Sequence, residues 1–275
     1  MRVAVSSALG LLALAATACR KVEVPAPAPQ PAARASAVAS TTPEVTSLRP
    51  SLVAESSSGG LRVRSGAIGA KLGWGFSDIA LNTSQIRLEI VTAPHGAALA
   101  SLLPQGALAV INGGYFEADF RPSTWLKQAG VELSPKIDTS KGGVLAVGPH
   151  GAYVGPFSGL GFEPQLAVQS FPLVVETDGS AGIHRDDGRR AARTVVCWAG
   201  GELHFIVIAA PRGDGPTLFE SATLLREAWP AGFGCRAALN LDGGPSSGVW
   251  FAPQVDAKQR PPFAPVAYGI ALFPR

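Results

Sequence analysis

Short β-branched or apolar segments separated by glycine or proline fill the chain from residue 86 onward, and they constrain its fold more than any other feature. Segments this short, rich in valine, isoleucine and leucine, predict strands rather than helices. The chain is therefore expected to be built mainly on β-sheet. The predicted strands cover residues 86–93, 107–112, 143–147, 166–175, 193–199, 203–210, 237–241, 248–252 and 268–273.

Two predicted helices interrupt these strands. The clearer one covers residues 218–229, where Thr217 and Glu220 fit a capping box and apolar residues recur on one face before Pro230. A shorter helix is predicted at about 97–103. The predicted fold class is therefore α+β, with a mixed, largely antiparallel sheet and few helices.

The N-terminus has the pattern of a secretory signal. Arg2 is followed by an uncharged run over residues 3–18, which is too short for a membrane span. The small residues directly before Cys19 resemble the bacterial lipobox, which implies a lipid on Cys19 that anchors the protein in the membrane. Arg20 is not the aspartate that retains lipoproteins at the inner membrane, so the outer membrane facing the periplasm is implied. The alternative is ordinary cleavage after Ala18, which gives a soluble periplasmic or secreted protein.

The predicted signal peptide covers residues 1–18. The segment that follows it has the composition of a tether. Residues 19–58 are rich in alanine, proline, serine and threonine, with almost no large apolar residue. Such a segment cannot bury enough surface to offset the entropy of ordering, so disorder is expected; the alternative is a proline-rich segment that binds a partner. Residues 59–275 are long enough for one large domain with its own core.

Charge and cysteine content narrow the function classes. The formal net charge is +3 and the basic residues are scattered, so no nucleic-acid partner is expected. Cys197 and Cys235 both lie next to predicted strands and form either one disulfide or two buried thiols. No cysteine or histidine spacing typical of a metal site occurs. No cofactor and no obligate protein partner is implied, and a metal requirement stays open.

Two runs share one plan, in which an apolar stretch ends in a polar residue and then paired glycines. They are Asn-Gly-Gly-Tyr-Phe at 112–116 and Asn-Leu-Asp-Gly-Gly-Pro-Ser-Ser-Gly at 240–248. Glycine pairs let the backbone turn or approach a ligand closely. Two such strand ends in one chain predict one shared pocket.

Asp242 is the chief candidate for chemistry in these runs. A carboxylate at a strand end beside glycine amides can bind a cation, act as a base or stabilise positive charge, or it can simply cap a tight turn. Asn112 and Asn240 are likewise either amide donors or turn residues. Ser246 and Ser247 are either phosphate ligands or polar turn residues.

The second run also matches the GxSxG nucleophile elbow at residues 244–248. The elbow requires a helix after the serine, whereas residues 248–252 predict a strand, and proline directly before the serine is unfavourable for that turn. All four histidines precede Ser246, so the chain order serine, acid, histidine cannot be formed. A serine hydrolase is therefore rejected.

The chain resembles the phosphodiester glycosidase family over about residues 61–275, most closely its bacterial branch. Phe171 and Pro245 depart from glycines that are common in relatives, and both are expected to reshape the pocket rim. The resemblance rests on four anchors: 112–116 with Asp-Phe-Arg-Pro at 119–122, Gln-Ser-Phe-Pro-Leu-Val at 169–174, Arg-Thr at 193–194, and 240–247.

The resemblance implies a site for an anionic sugar. Cleavage at the anomeric carbon expels a phosphate monoester, so the site must hold phosphate and stabilise an oxocarbenium-like transition state. Arg193 is then the phosphate ligand, and Asp242 is the nucleophile, base or stabiliser, with Asp119 as second carboxylate. The remaining implied substrate-binding residues are Asn112, Gly113, Gly114, Tyr115, Phe116, Gln169, Asn240, Gly243, Gly244, Ser246 and Ser247.

Several of these residues have structural alternatives. Arg193 could pair with a surface carboxylate, and Asp119 could pair with Arg121 in a turn. Tyr115 and Phe116 either stack on a sugar or fill the core under the loop, and Trp125 is a further candidate for stacking.

The predicted function is hydrolysis of the glycosidic bond of a sugar 1-phosphodiester in envelope or extracellular glycan material. One alternative is a glycan- or phosphate-binding lipoprotein without turnover. Another is a metal-dependent phosphodiesterase, which would cleave the phosphorus–oxygen bond instead.

Overall fold

Antiparallel strands form almost all of the regular structure. The computed structural model describes residues 48–69, 72–139, 142–211 and 213–275. The predicted signal peptide, Cys19 and most of the predicted tether lie outside the described residues. The strands are β1 Pro50–Ser58, β2 Leu61–Ile68, β3 Trp74–Leu81, β4 Ile86–Ala97, β5 Ala109–Asn112, β6 Leu126–Gln128, β7 Val131–Ser134, β8 Gly143–Gly148, β9 Gly151–Gly155, β10 Leu166–Ser170, β11 Leu173–Val175, β12 Arg193–Ala199, β13 Glu202–Ala209, β14 Ala237–Asn240, β15 Val249–Phe251 and β16 Val266–Pro274.

These strands form three sheets. The seven-stranded sheet has the order β1-β2-β3-β13-β12-β14-β11, the five-stranded sheet β7-β6-β10-β8-β9, and the four-stranded sheet β15-β5-β16-β4. The main apolar core contains residues of all three sheets, for example Ile79, Ile111 and Val168, all fully buried. The sheets therefore enclose one core, and the ends of β5, β10 and β14 bring residues of each sheet to the candidate site.

Helix α1, Leu218–Arg226, is the one α-helix among the described residues. Its capping box is confirmed, because Thr217 accepts from the Glu220 amide and the Glu220 carboxylate accepts from the Thr217 amide. The second predicted helix is instead a single 3-10 turn at Leu99–Leu102, which lacks a side-chain cap and is followed closely by Pro104. The α+β prediction thus overestimated helix, since the fold is dominated by antiparallel strands.

A second core lies against α1 on the seven-stranded sheet. It contains Phe76, Ile206, Leu225 and both cysteines. Cys197 on β12 and Cys235 before β14 form a disulfide, with Cα atoms 5.8 Å apart. Of the two alternatives that the sequence left open, the structure shows the disulfide.

The domain begins earlier than the sequence predicted. Strand β1 pairs with β2 over its whole length, although residues 50–58 were assigned to the disordered tether. Its serine-rich sequence buries little apolar surface, and Val53 is 78% exposed. An edge strand of this kind is held by its backbone ladder, which residue composition alone does not reveal.

The predicted strands are present, with one change of detail. The segment 166–175 is divided into β10 and β11, which belong to different sheets and are separated by Phe171 and Pro172. Proline cannot donate to a ladder, so the chain leaves one sheet there and joins the next.

Among the described residues, no helix is both long and apolar enough to cross a membrane.

Candidate active site

The two Asn/Gly-Gly runs lie side by side, at the ends of β5 and β14. The Asp242 amide donates to the Gly113 carbonyl at 3.1 Å. The Asn112 side-chain amide donates to the Asp242 carbonyl at 2.8 Å. Because β5 and β14 belong to different sheets, these bonds join two sheet ends.

Asp242 is a half-buried carboxylate held by its own loop. Its Oδ1 accepts from the Gly243 amide at 2.8 Å, and the Ser246 hydroxyl also bonds to the carboxylate. Burial raises the pKa of Asp242, and these two hydrogen bonds act in the opposite direction. A carboxylate with little surrounding water interacts strongly with positive charge that develops nearby.

Tyr115 is close enough to Asp242 and Arg193 for both charges to affect its hydroxyl. Burial raises the pKa of its hydroxyl, the Asp242 carboxylate raises it further, and the Arg193 guanidinium lowers it. The Tyr115 hydroxyl accepts from the Asn240 amide at 2.8 Å. Its ring stacks on Phe171 with centroids 4.5 Å apart, so the residue that departs from the family glycine covers one face of Tyr115.

Arg193 is anchored by backbone carbonyls. Nε donates to Pro216 at 3.0 Å and Nη2 to Arg189 at 2.9 Å, while Nη1 lies 3.8 Å from where a Cβ on Gly243 would stand. Burial lowers the pKa of the guanidinium. In the described part of the chain no carboxylate forms an ion pair with Arg193, so its charge is fixed in place and is not neutralised by a bonded neighbour.

Asn112 holds the site together. Its Oδ1 accepts from Thr194 Oγ1 at 2.7 Å and from the Gly248 amide at 2.9 Å. Its Nδ2 donates to the carbonyls of Gly113 and Asp242, and the residue is fully buried. Since all four hydrogen-bonding positions have protein partners, Asn112 positions the two runs, and the predicted direct contact with substrate does not fit this geometry.

Replacing Asn112 with alanine is expected to lower the free energy of unfolding by about 3 kcal/mol or more, because several buried groups lose their partner together. Asn82→Ala is the matched control, since Asn82 is exposed and its side chain accepts a single bond from Ser84. Urea denaturation of both variants measures the difference. Equal loss in the two would contradict the bracing role of Asn112.

The Gln169 side chain bonds to the backbone of Asp138. Its Oε1 accepts from the Asp138 amide at 3.1 Å, and its Nε2 donates to the Asp138 carbonyl. The predicted contact with sugar hydroxyls is therefore corrected to a role in holding the Asp138 segment. The next residue along the strand, Ser170, faces Gly114 instead, with its hydroxyl 3.3 Å from where a Cβ on Gly114 would stand. Successive side chains of a strand point to opposite faces, so Ser170 is expected to face Gly114 when Gln169 faces Asp138.

Asp119 is an exposed turn residue paired with Arg121. The carboxylate accepts from Arg121 Nε at 2.6 Å, which is the alternative that the sequence left open. This hydrogen bond lowers the pKa of Asp119, opposite to what a proton donor needs. No contact among the described residues joins Asp119 to Asp242, so the prediction of a second catalytic carboxylate is not supported by this geometry.

The glycines allow close backbone packing. A Cβ on Gly113 would lie 2.1 Å from the Tyr268 ring, and the Gly114 amide donates to the Tyr268 hydroxyl at 2.8 Å. Gly244 has φ +59°, a conformation that favours glycine. Tyr268, like Thr194 and Ser170, was missed as a site residue because sequence pattern marks it only as part of a strand.

The polar residues Asn240, Ser246 and Ser247 of the second run differ in their hydrogen bonds. Asn240 is fully buried, donates to Tyr115 and Phe171, and has an Oδ1 without a hydrogen-bond partner. Ser246 bonds Asp242, whereas the hydroxyl of the adjacent Ser247 has no partner in the described structure. The two serines therefore differ in their protein partners, and their predicted role as phosphate ligands stays a prediction.

Phe116 and Trp125 belong to the interior. Phe116 stacks on Phe120 with centroids 5.5 Å apart and packs against the main core. Trp125 is 5% exposed and packs edge-on against Phe157. Of the aromatic candidates, Tyr115 is the one placed beside Asp242.

In the described ranges no three His, Cys, Asp or Glu side chains form a group that could hold a metal ion.

The antiparallel fold is that of a glycosidase-type hydrolase domain. The phosphodiester glycosidase family model matches residues 105–273, more than half of the chain. The chain belongs to this family. The resemblance found in the sequence is thereby confirmed.

Solved structures agree on the fold. The catalytic domain of zebrafish N-acetylglucosamine-1-phosphodiester α-N-acetylglucosaminidase, auto-inhibited by its pro-peptide, is 15% identical with a TM-score of 0.56, and the match covers 86% of this chain and 85% of that one. A hypothetical protein from Synechocystis is also 15% identical, with a TM-score of 0.56. The match covers 78% of this chain and 62% of the Synechocystis chain. At these identities the likeness concerns the fold. A comparison with curated protein sequences gives no match.

Proposed function

We propose that this chain hydrolyses the glycosidic bond of a sugar 1-phosphodiester, with Asp242 and Arg193 as its principal site residues. The single observation that carries the proposal is that Arg193 Nη1 lies 3.8 Å from where a Cβ on Gly243 would stand, so the guanidinium is beside the loop of Asp242. No ion pair joins Arg193 and Asp242 in the described structure. A separated carboxylate and guanidinium suit a substrate in which the anomeric carbon becomes positive and the adjoining phosphate is negative.

The division of labour follows from the reaction. The bond between the anomeric carbon and the phosphate oxygen breaks, both electrons leave with the phosphate monoester, and water supplies the new oxygen on the sugar. A phosphate monoester leaves readily, so a general acid is less important than stabilisation of the sugar cation. Asp242 stabilises or attacks that carbon, and Arg193 binds the phosphate by charge-assisted hydrogen bonds.

Two buried polar atoms beside the site support a hydroxyl-rich substrate. Asn240 Oδ1 and Ser170 Oγ have no hydrogen-bond partner, and both residues are fully buried. Asn240 bonds Tyr115, and Ser170 faces Gly114, so both lie next to the proposed sugar position. The stack of Phe171 on Tyr115 narrows this side and favours a sugar that presents a flat face to aromatic rings.

An envelope location is part of the proposal. The disulfide between Cys197 and Cys235 supports an oxidising compartment such as the periplasm or the exterior. Attachment through a lipid on Cys19 rests on the sequence alone, and mass spectrometry of the mature N-terminus tests it.

Hydrolysis of a panel of sugar 1-phosphodiesters in ¹⁸O-water tests the reaction with the full chain. The label is expected on the sugar, because the carbon–oxygen bond is cleaved. Label on phosphate, with loss of activity in chelator, would favour the metal-dependent phosphodiesterase. Binding without turnover across the panel would favour a glycan-binding lipoprotein.

Arg193→Ala is expected to raise KM by roughly 10- to 100-fold, because a charge-assisted hydrogen bond to phosphate is lost. Arg189→Ala is the matched control, because it removes the same charge from the neighbouring loop. The Arg189 side chain is 88% exposed. Steady-state kinetics on the best substrate compares them. Similar KM values in the two variants would remove Arg193 from the proposed phosphate site.

A further inference from the structure

A cavity lies next to the loop that carries Asp242 and includes Ser247 in its lining. Its volume is about 710 Å³, within the range of small-molecule sites. We call it the Arg260 cavity, and its defining lining residues are Trp74, Pro211, Ser247, Lys258, Arg260 and Phe263. None of these except Ser247 belongs to the site proposed above.

Arg260 gives the cavity a fixed positive charge. Nε donates to Ser77 Oγ at 2.8 Å, and Nη2 donates to the Phe76 carbonyl at 2.9 Å. A Cβ on Gly75 would lie 2.6 Å from Nη2, so glycine allows the guanidinium to lie against β3. No carboxylate among the described residues pairs with Arg260, and its two bonded partners are neutral. A half-buried cation of this kind has the properties of an anion site.

Ser247 adds an unpaired polar group to the same wall. The residue is 4% exposed, and its hydroxyl has no hydrogen-bond partner. A buried hydroxyl without a partner is unfavourable, and a ligand oxygen that accepts from it would remove that cost. Ser246 bonds Asp242, so the two adjacent serines serve different surroundings.

The rest of the wall is mainly apolar. Trp74 is 2% exposed on the inner side, and Phe263 is 61% exposed at the rim. Pro211 and Pro262 also line the cavity. Lys258, also exposed, adds a second positive charge. The cavity therefore combines cationic groups with an aromatic and prolyl surface, which complements an anion attached to an apolar body.

We propose that the Arg260 cavity binds a small organic oxyanion, a carboxylate or phosphate ester with an aromatic or alkyl body, as a site separate from Asp242 and Arg193. The oxyanion pairs with Arg260 and accepts from the Ser247 hydroxyl. The apolar body packs on Trp74 and Phe263. This site does not depend on the glycosidase proposal, because neither Asp242 nor Arg193 lines the cavity.

Calorimetric titration of the full chain with phenyl phosphate, benzoate and inorganic phosphate tests the site. Phenyl phosphate and benzoate are expected to bind more tightly than inorganic phosphate, since only they use the apolar wall. Arg260→Gln is expected to weaken phenyl phosphate binding by roughly tenfold or more. Arg193→Ala is expected to leave one phenyl phosphate site unchanged, which separates this cavity from the proposed active site.

Two gentler variants keep the test decisive if Arg260→Gln fails to fold. Ser247→Ala and Phe263→Ala, checked by circular dichroism, are each expected to weaken phenyl phosphate binding several-fold. The proposal is overturned if none of the probes binds, if folded Ser247→Ala and Phe263→Ala bind like wild type, or if Arg193→Ala alone removes all binding.

Discussion

Asp242→Asn is expected to reduce turnover of a sugar 1-phosphodiester by roughly 10³-fold or more, since the amide carries no charge to stabilise or attack the anomeric carbon. The side-chain oxygen of asparagine can still accept from the Gly243 amide, so the loop is expected to keep its conformation. Because burial raises the pKa of Asp242, the wild-type rate should fall on acidification at a pH above the ordinary aspartate range. Rates across pH for both proteins measure this.

The same variant is expected to be more heat-stable than wild type at neutral pH. A carboxyl whose pKa is raised on folding costs stability when it is ionised, and that cost disappears as pH falls through the folded-state pKa. The uncharged isostere removes the cost at every pH. Asp178→Asn is the control, because hydrogen bonds from Ser180 lower the pKa of that exposed carboxyl. Full activity in Asp242→Asn would reject the catalytic assignment, whatever its stability.

Loss of the Cys197–Cys235 disulfide is expected to lower the free energy of unfolding by about 4 kcal/mol, from the entropy of closing its loop in the unfolded chain. The two cysteines are 38 residues apart in sequence and join β12 to the segment that follows α1. Both are buried in the second core, so reduction before unfolding should be slow. Urea denaturation with and without reductant gives the value.

The double variant Cys197→Ala and Cys235→Ala serves as the control for this measurement. It is expected to unfold at the same urea concentration in both conditions, close to that of the reduced wild type. If reductant shifts the variant as far as it shifts the wild type, the effect lies elsewhere in the chain.

Local signals predicted much of this fold. The capping box of Thr217 and Glu220 placed the start of α1, and β-branched runs placed strands such as β12 and β13. Strand β1 escaped prediction because its stability comes from a backbone ladder with β2, which lies beyond a local composition window. At Leu99–Leu102 the sequence predicts a helix, but the structure forms a single 3-10 turn. The segment has no side-chain cap, and too few residues precede Pro104 for a longer helix.

The candidate site was predicted in part for a similar reason. Paired glycines and a polar residue marked both strand ends, and the structure brings those ends together. Which side chains face inward could not be predicted, since that depends on how three sheets pack. Gln169 and Ser170 are neighbours in sequence, yet they face opposite sides of β10.

The hydrogen bonds of Asn112 also set a condition on how the domain folds. They link it to Thr194, 82 residues away, and to Asp242, 130 residues away. Contacts of such sequence separation form late and slowly, because long stretches of chain must be ordered first. Asp242 therefore gains its surroundings only when all three sheets have assembled. No fragment that omits one of them can retain the arrangement, and a nascent chain cannot complete the candidate site until the last strand, which carries Tyr268, is in place.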